Sequence, residues 1–108
     1  MEQTSTGLQE NVAGALTYAL GWITGALFLV FEPSNRFVRF HAWQSVILFG
    51  ALSIAWFVAV SIPLFGTIVA FVIIPPVSAF LWLFLMYKAY NGERYKVPYT
   101  GDMAEHRL

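Results

Sequence analysis

Apolar positions fall into three long blocks, separated by short breaks rich in Pro, Gly or polar residues. The first block, Val12 to Phe31, has twenty residues and no charge. A hydrocarbon core of about 30 Å takes roughly 20 helical residues at ~1.5 Å each, so this block predicts a membrane-crossing helix over 12–31. Asn11, just before it, is a suitable N-cap. Glu32-Pro33-Ser34-Asn35 then reads as a turn, because Pro cannot continue a helix and Ser and Asn favour loops. The second block predicts a helix over about 40–62. From Val46 to Tyr87 the chain carries no Asp, Glu, Lys or Arg in 42 residues. Within that run only Pro63-Leu64-Phe65-Gly66 offers a break, short enough for a tight turn. The third helix is expected over 67–87, with Pro75-Pro76 near its middle. Two adjacent prolines remove two backbone donors, which predicts a kink and leaves carbonyls near Phe71 and Val72 in need of partners. Ser78 is one candidate donor. The fold class is therefore an all-α integral membrane protein with three transmembrane helices (about 12–31, 40–62 and 67–87), the third kinked at Pro75-Pro76.

Around this domain, residues 11–90, the pattern places a flexible extracytoplasmic tail at 1–10 and a polar cytoplasmic tail at 91–108. Residues 1–10 contain Glu2 and Glu10 but no Lys or Arg, so they lack the positive region of a signal peptide. Inside the blocks, small residues recur every four positions: Ala13, Thr17, Gly21 and Gly25 in the first, Ala51, Ala55 and Ala59 in the second. Such stripes let helices approach closely, and the simplest arrangement packs one stripe against the other, antiparallel.

Composition agrees with a membrane chain. Of 108 residues, 58% are hydrophobic and 11% charged, with mean hydropathy +0.65; a soluble domain carries about 25% charged residues. Net charge is zero, so no basic field for nucleic acid exists. The absence of cysteine excludes disulfides and thiolate chemistry. In a three-span arrangement all six Lys/Arg, namely Arg36, Arg39, Lys88, Arg94, Lys96 and Arg107, fall on one side. The positive-inside rule then puts the N-terminus outside and the C-terminus in the cytoplasm of a plasma-membrane protein.

Candidate chemistry concentrates in Asn35-Arg36-Phe37-Val38-Arg39-Phe40-His41-Ala42-Trp43-Gln44-Ser45. As a helix, this stretch puts His41, Gln44 and Ser45 on one face, with Arg36 and Arg39 one turn earlier. Arg36, Arg39, His41, Gln44 and Ser45 are the candidate contacts for anionic lipid headgroups or a partner. The same groups could equally hydrogen-bond between helices and fix packing. Ser45 with His41 lacks the nucleophile elbow and the orienting carboxylate of a hydrolase, and a lone membrane His without spaced partners is a poor metal or haem site. The expectation is a non-enzymatic interaction module without cofactor or metal. Its partners would be membrane lipids and a second copy or another small membrane protein, not nucleic acid. The rival is a subunit of a transport, channel or translocation assembly, with a site near Pro75-Pro76 or His41.

Several motifs occur in a familiar order: Asn11 with Tyr18 and Thr24-Gly25, then Phe37-Val38-Arg39-Phe40-His41-Ala42-Trp43-Gln44-Ser45, Ile62-Pro63 with Gly66, and Lys88-Ala89-Tyr90-Asn91-Gly92-Glu93 followed by Pro98 and Gly101-Asp102. Together they resemble a family of small uncharacterised bacterial and archaeal membrane proteins, distantly similar to the Tic-twenty component of the chloroplast import machinery. The resemblance implies an integral membrane protein of three or four helices and supplies no catalytic residues.

Overall fold

The computed structural model describes Thr4 and residues 7–107, so most of the expected N-terminal tail lies outside the described residues. The chain is all-helical, with α1 at Glu10–Leu16, α2 at Trp22–Phe31, α3 at Arg36–Val60, α4 at Phe65–Tyr90 and α5 at Thr100–His106. Helices α3 (25 residues) and α4 (26 residues) are long and apolar enough to cross a membrane. They form an antiparallel hairpin joined at 61–64. Ile54, Phe57, Phe65, Phe71, Val72, Phe80 and Leu83 are all more than half exposed along this pair, an outward surface that water would not tolerate at this density.

Residues 12–31 do not make the single spanning helix that their uninterrupted apolarity predicts. The helix stops at Leu16 and resumes at Trp22 after a turned segment. Gly21 sits at φ +62°, a left-handed conformation that a residue with a Cβ adopts only with strain. Side-chain hydroxyls meet carbonyls that the break releases, two from within the segment and one from α3. Thr17 Oγ1 donates to Gly14 O at 2.6 Å, Thr24 Oγ1 donates to Thr17 O at 3.1 Å, and Ser45 Oγ donates to Gly21 O at 2.7 Å.

The break turns the chain back on itself. α1 runs antiparallel to α4, with Asn11 Nδ2 donating to Tyr90 O at 2.9 Å and Trp82 Nε1 to Ala19 O at 3.2 Å. α2 runs antiparallel to α3, with Gly21 beside Phe49 and Gly25 beside Ala42 and Ser45. The α1–α2 hairpin therefore enters and leaves at the same end of the α3/α4 pair. It reaches the level of Phe49, thirteen residues or roughly 20 Å down α3. Among the described residues two helices, not three, are thus long and apolar enough to cross a membrane, and α1 begins beside the end of α4. Asn11 ties α1 to α4 instead of capping α1, whose N-cap is Gln9.

The small-residue stripes also meet different partners from those expected. A Cβ on Gly25 would lie 2.8 Å from the Ala42 carbonyl, so that glycine is what lets α2 approach α3. Ala51 and Ala55 are exposed, and Ala59 is buried against Gly66 at the far turn.

Around Pro75-Pro76, α4 stays helical but widens. Residues Val69–Ile73 form a π turn, in which Ile74 N–H donates to Val69 O. The next bond in that register would run from residue 75 to Ala70, and Pro75 has no N–H. Trp56 Nε1, from α3, donates to Ala70 O at 2.9 Å in its place. A neighbouring helix thus satisfies a carbonyl freed by the prolines, through Trp56 and at Ala70, not through Ser78 at Phe71 or Val72.

Candidate functional site

α3 begins at Arg36 because Asn35 caps it: its side chain accepts from Val38 N at 3.0 Å. The helix therefore includes both arginines, which were expected in the loop before it. From that start the 3.6-residue repeat points Phe37, Val38, Phe40, His41, Gln44 and Ser45 inward, and all six are buried.

The buried polar groups form one network. Gln44 Nε2 donates to Tyr18 Oη at 2.9 Å and to Tyr95 O at 2.9 Å, while Gln44 Oε1 accepts from Val97 N at 2.8 Å. Both amide protons and the amide oxygen are thereby used. His41 Nε2 lies 2.9 Å from Glu93 O, and His41 Nδ1 lies 2.7 Å from Tyr18 Oη. A carbonyl can only accept, so Nε2 carries a proton. In the neutral ring Nδ1 then accepts from Tyr18, whose oxygen accepts from Gln44. The rings of Phe37, Phe40 and Tyr18 meet the imidazole edge-on, at 4.7, 5.2 and 5.5 Å between centroids. Their packing locks its orientation.

What the network grips is the segment after α4. Glu93 O, Tyr95 O and Val97 N are alternate backbone groups of an extended strap, and His41 and Gln44 bind them as a neighbouring strand would. Tyr18 and this strap were not among the sequence candidates. Tyr18 had a signal, a phenol in an uncharged apolar block that must find a partner. The strap had none, because only its backbone is recognised.

The arginines behave differently from each other. Arg39 Nη1 donates to Leu29 O at 3.2 Å and Glu32 O at 3.4 Å, placing a cation on the C-terminal carbonyls of α2. Arg36 is exposed. Arg94 lies over Phe40 at 5.9 Å and Arg107 over Trp43 at 5.6 Å. Lys88 pairs with Glu93 at 3.4 Å and Lys96 with Glu105 at 3.5 Å, both partly solvated. All six Lys/Arg thus gather at the end of the molecule that holds the strap. Among the described residues no three His, Asp or Glu come together as a metal site would need.

A second feature lies where the α1–α2 turn meets the two long helices. Leu20, Gly21, Trp22, Ser53, Pro75 and Ser78 line a cleft of about 320 Å³. It joins the helix break at Gly21 to the widened turn of α4.

Comparison with known proteins places the chain in a family. Residues 4–104 match the MamF_MmsF model, described as the magnetosome magnetite crystal formation protein family, and the chain belongs to it. It is similar to a UPF0132 membrane protein of Methanocaldococcus jannaschii, 47% identical over 97% of this chain and 94% of the relative. A second protein of that name from the same organism is 46% identical over 92% of this chain and 70% of the relative. One from Archaeoglobus fulgidus is 44% identical over 94% and 97%. No solved structure matches. The chain is a membrane protein of an archaeal-containing family.

Proposed function

We propose that this family member is a non-catalytic membrane protein whose cationic end docks anionic lipid headgroups, with both ends of the chain in the cytoplasm. The observation that carries this is the gathering of Arg36, Arg39, Lys88, Arg94, Lys96 and Arg107 at one end of the α3/α4 hairpin. Positive charge marks the cytoplasmic face, and each Lys/Arg near an anionic surface adds about 1 kcal/mol of attraction. Arg36 is the freest of them for a headgroup, while Arg39 holds α2. His41 and Gln44 support the docking surface by fixing the strap that bears Arg94 and Lys96, while Ser45 holds the turn at Gly21. The membrane would be the plasma membrane, with lipids and a further copy or small membrane protein as partners.

The test is lipid retention in nanodiscs containing phosphatidylglycerol. Arg36→Gln combined with Arg107→Gln should leave the protein folded, at a small cost for the lost Arg107–Trp43 contact, and lower retained anionic lipid roughly thirtyfold for two lost charges. Equal retention would end this reading. Reporter fusions at both termini should both report the cytoplasm.

A second reading, a subunit of a transport or translocation assembly, has the cleft at Gly21, Ser53, Pro75 and Ser78 in its favour. Interrupted helices meeting in the interior are how transporter sites are built. The role by which the family is described, magnetite crystal formation, would call for carboxylate or His groups gathered to meet iron.

A further inference from the structure

The cleft at the α1–α2 turn lies deep along the two long helices. Ser53 is fourteen residues beyond Arg39 on α3, and Pro75 is thirteen before Lys88 on α4, so both walls stand roughly 20 Å from the cationic end. That is well inside a hydrocarbon core of about 30 Å. No Asp, Glu, Lys or Arg lines the cleft. Its hydrogen-bonding groups are only partly used. Trp56 Nε1 donates to Ala70 O, and Ser53 Oγ donates to Phe49 O four residues back, as a helical serine commonly does. Ser78 Oγ makes no such bond. Neither it nor Trp22 Nε1 has a hydrogen-bond partner among the described residues. Ser78 belongs to α4 and Trp22 to α2, so unmet donors stand on two walls. Hydrocarbon offers them no acceptor. The rings of Trp22, Phe49 and Trp56 supply flat apolar surface beside them.

We propose that this cleft binds the ring of a membrane-dissolved quinone, whose carbonyl oxygens accept from Ser78 Oγ and Trp22 Nε1. Each property of the cleft narrows the occupant. A phospholipid headgroup would carry its charge roughly 20 Å into hydrocarbon, at a cost that nothing in the uncharged cleft offsets. An acyl chain fits the walls but leaves both donors unmet. A helix of another chain, about 10–12 Å across, is too wide for a space of about 320 Å³. That volume is at the small end of ligand sites and suits a flat ring. A quinone head is uncharged and carries an acceptor at each end of its ring. Leu20, at the rim, is exposed, which leaves a path for the apolar tail into lipid. The proposal stands apart from headgroup docking, since it concerns a neutral ligand inside the span and uses none of the six cations.

The cleft carries its own reporters, since two of the four tryptophans, Trp22 and Trp56, line it. Decylubiquinone titrated into nanodiscs that hold the full chain should quench tryptophan fluorescence to saturation. Ser78→Ala breaks no bond within the protein, so it should leave thermal stability unchanged and raise the half-saturation concentration roughly fivefold. Trp22→Phe should raise it by a similar factor, with Trp56 still reporting. Ser78→Phe should abolish saturation by filling the cleft. Arg36→Gln with Arg107→Gln should leave the titration as it is, which separates this site from headgroup docking. Quenching that rises linearly without saturating, as for simple partition into the bilayer, overturns the proposal. So does a half-saturation point that neither Ser78→Ala nor Trp22→Phe moves. Competition by decane as strong as that by menadione overturns it too, because the cleft would then be a slot for an acyl chain.

Discussion

The two ends of the α3/α4 hairpin are held by different physics. At the end where α3 begins, Tyr18, His41, Gln44 and Ser45 are fully buried and bonded to one another or to main chain, and aromatic rings pack the gaps. At the far end, Val58, Ile62, Leu64 and Phe65 are exposed, and contact rests on Ala59 against Gly66 and on Trp56 to Ala70. A shallow apolar groove of about 280 Å³ runs there between Ala55, Ala59, Gly66 and Val69. In lipid, apolar residues gain little by meeting each other, so helices cohere through close packing and through polar groups that have nowhere else to bond. The near end uses many such bonds and supports the α1–α2 hairpin and a strap. Among the described residues the far end has one such bond between helices, Trp56 to Ala70, beside the local bond from Ser61 to Val58 O, and supports a turn.

The strongest way to break this comparison is Gln44→Leu. It strands Tyr95 O and Val97 N and removes a donor to Tyr18, which should cost on the order of 3 kcal/mol. Thermal unfolding in detergent reads the loss, and amide exchange at Val97 should become fast while amides near Gly66 stay protected. Next is Gly66→Leu, which forces a side chain into the Ala59 carbonyl and should cost about 2 kcal/mol. Exchange at the near end should be unaffected; if near-end amides also lose protection, the two ends unfold as one unit and the contrast collapses.

Smaller effects sharpen the picture. Trp56→Phe removes the indole donor to Ala70 O and should cost about 1 kcal/mol. Pro75→Ala restores an N–H able to reach that carbonyl, so the two substitutions should be non-additive in a double-mutant cycle, with Trp56→Phe nearly silent in the Pro75→Ala background. Arg39→Met should be the mildest, about 0.5–1 kcal/mol, because it removes only the cation on the last carbonyls of α2.

What the sequence by itself determined follows from quantities that add up along a chain. Long uncharged runs favour lipid, so α3 and α4 were legible as candidate spans, to within four residues at each end. Asn35 and Pro33 marked the break between α2 and α3, and the 3.6-residue repeat put His41, Gln44 and Ser45 on one face. The clustering of Lys and Arg at one end was legible too. What the tertiary structure decided depends on partners far away in sequence. Residues 12–31 were apolar enough to span, yet a left-handed Gly21 and the Ser45 hydroxyl that meets its carbonyl turn them back, and no local count distinguishes that glycine from one in a straight helix. Apart from Tyr18, the partners of His41 and Gln44 are main-chain atoms about fifty residues away, and main-chain atoms are the same in every residue. A sequence can show that a polar face needs a partner; which backbone supplies it is a matter of where the chain returns.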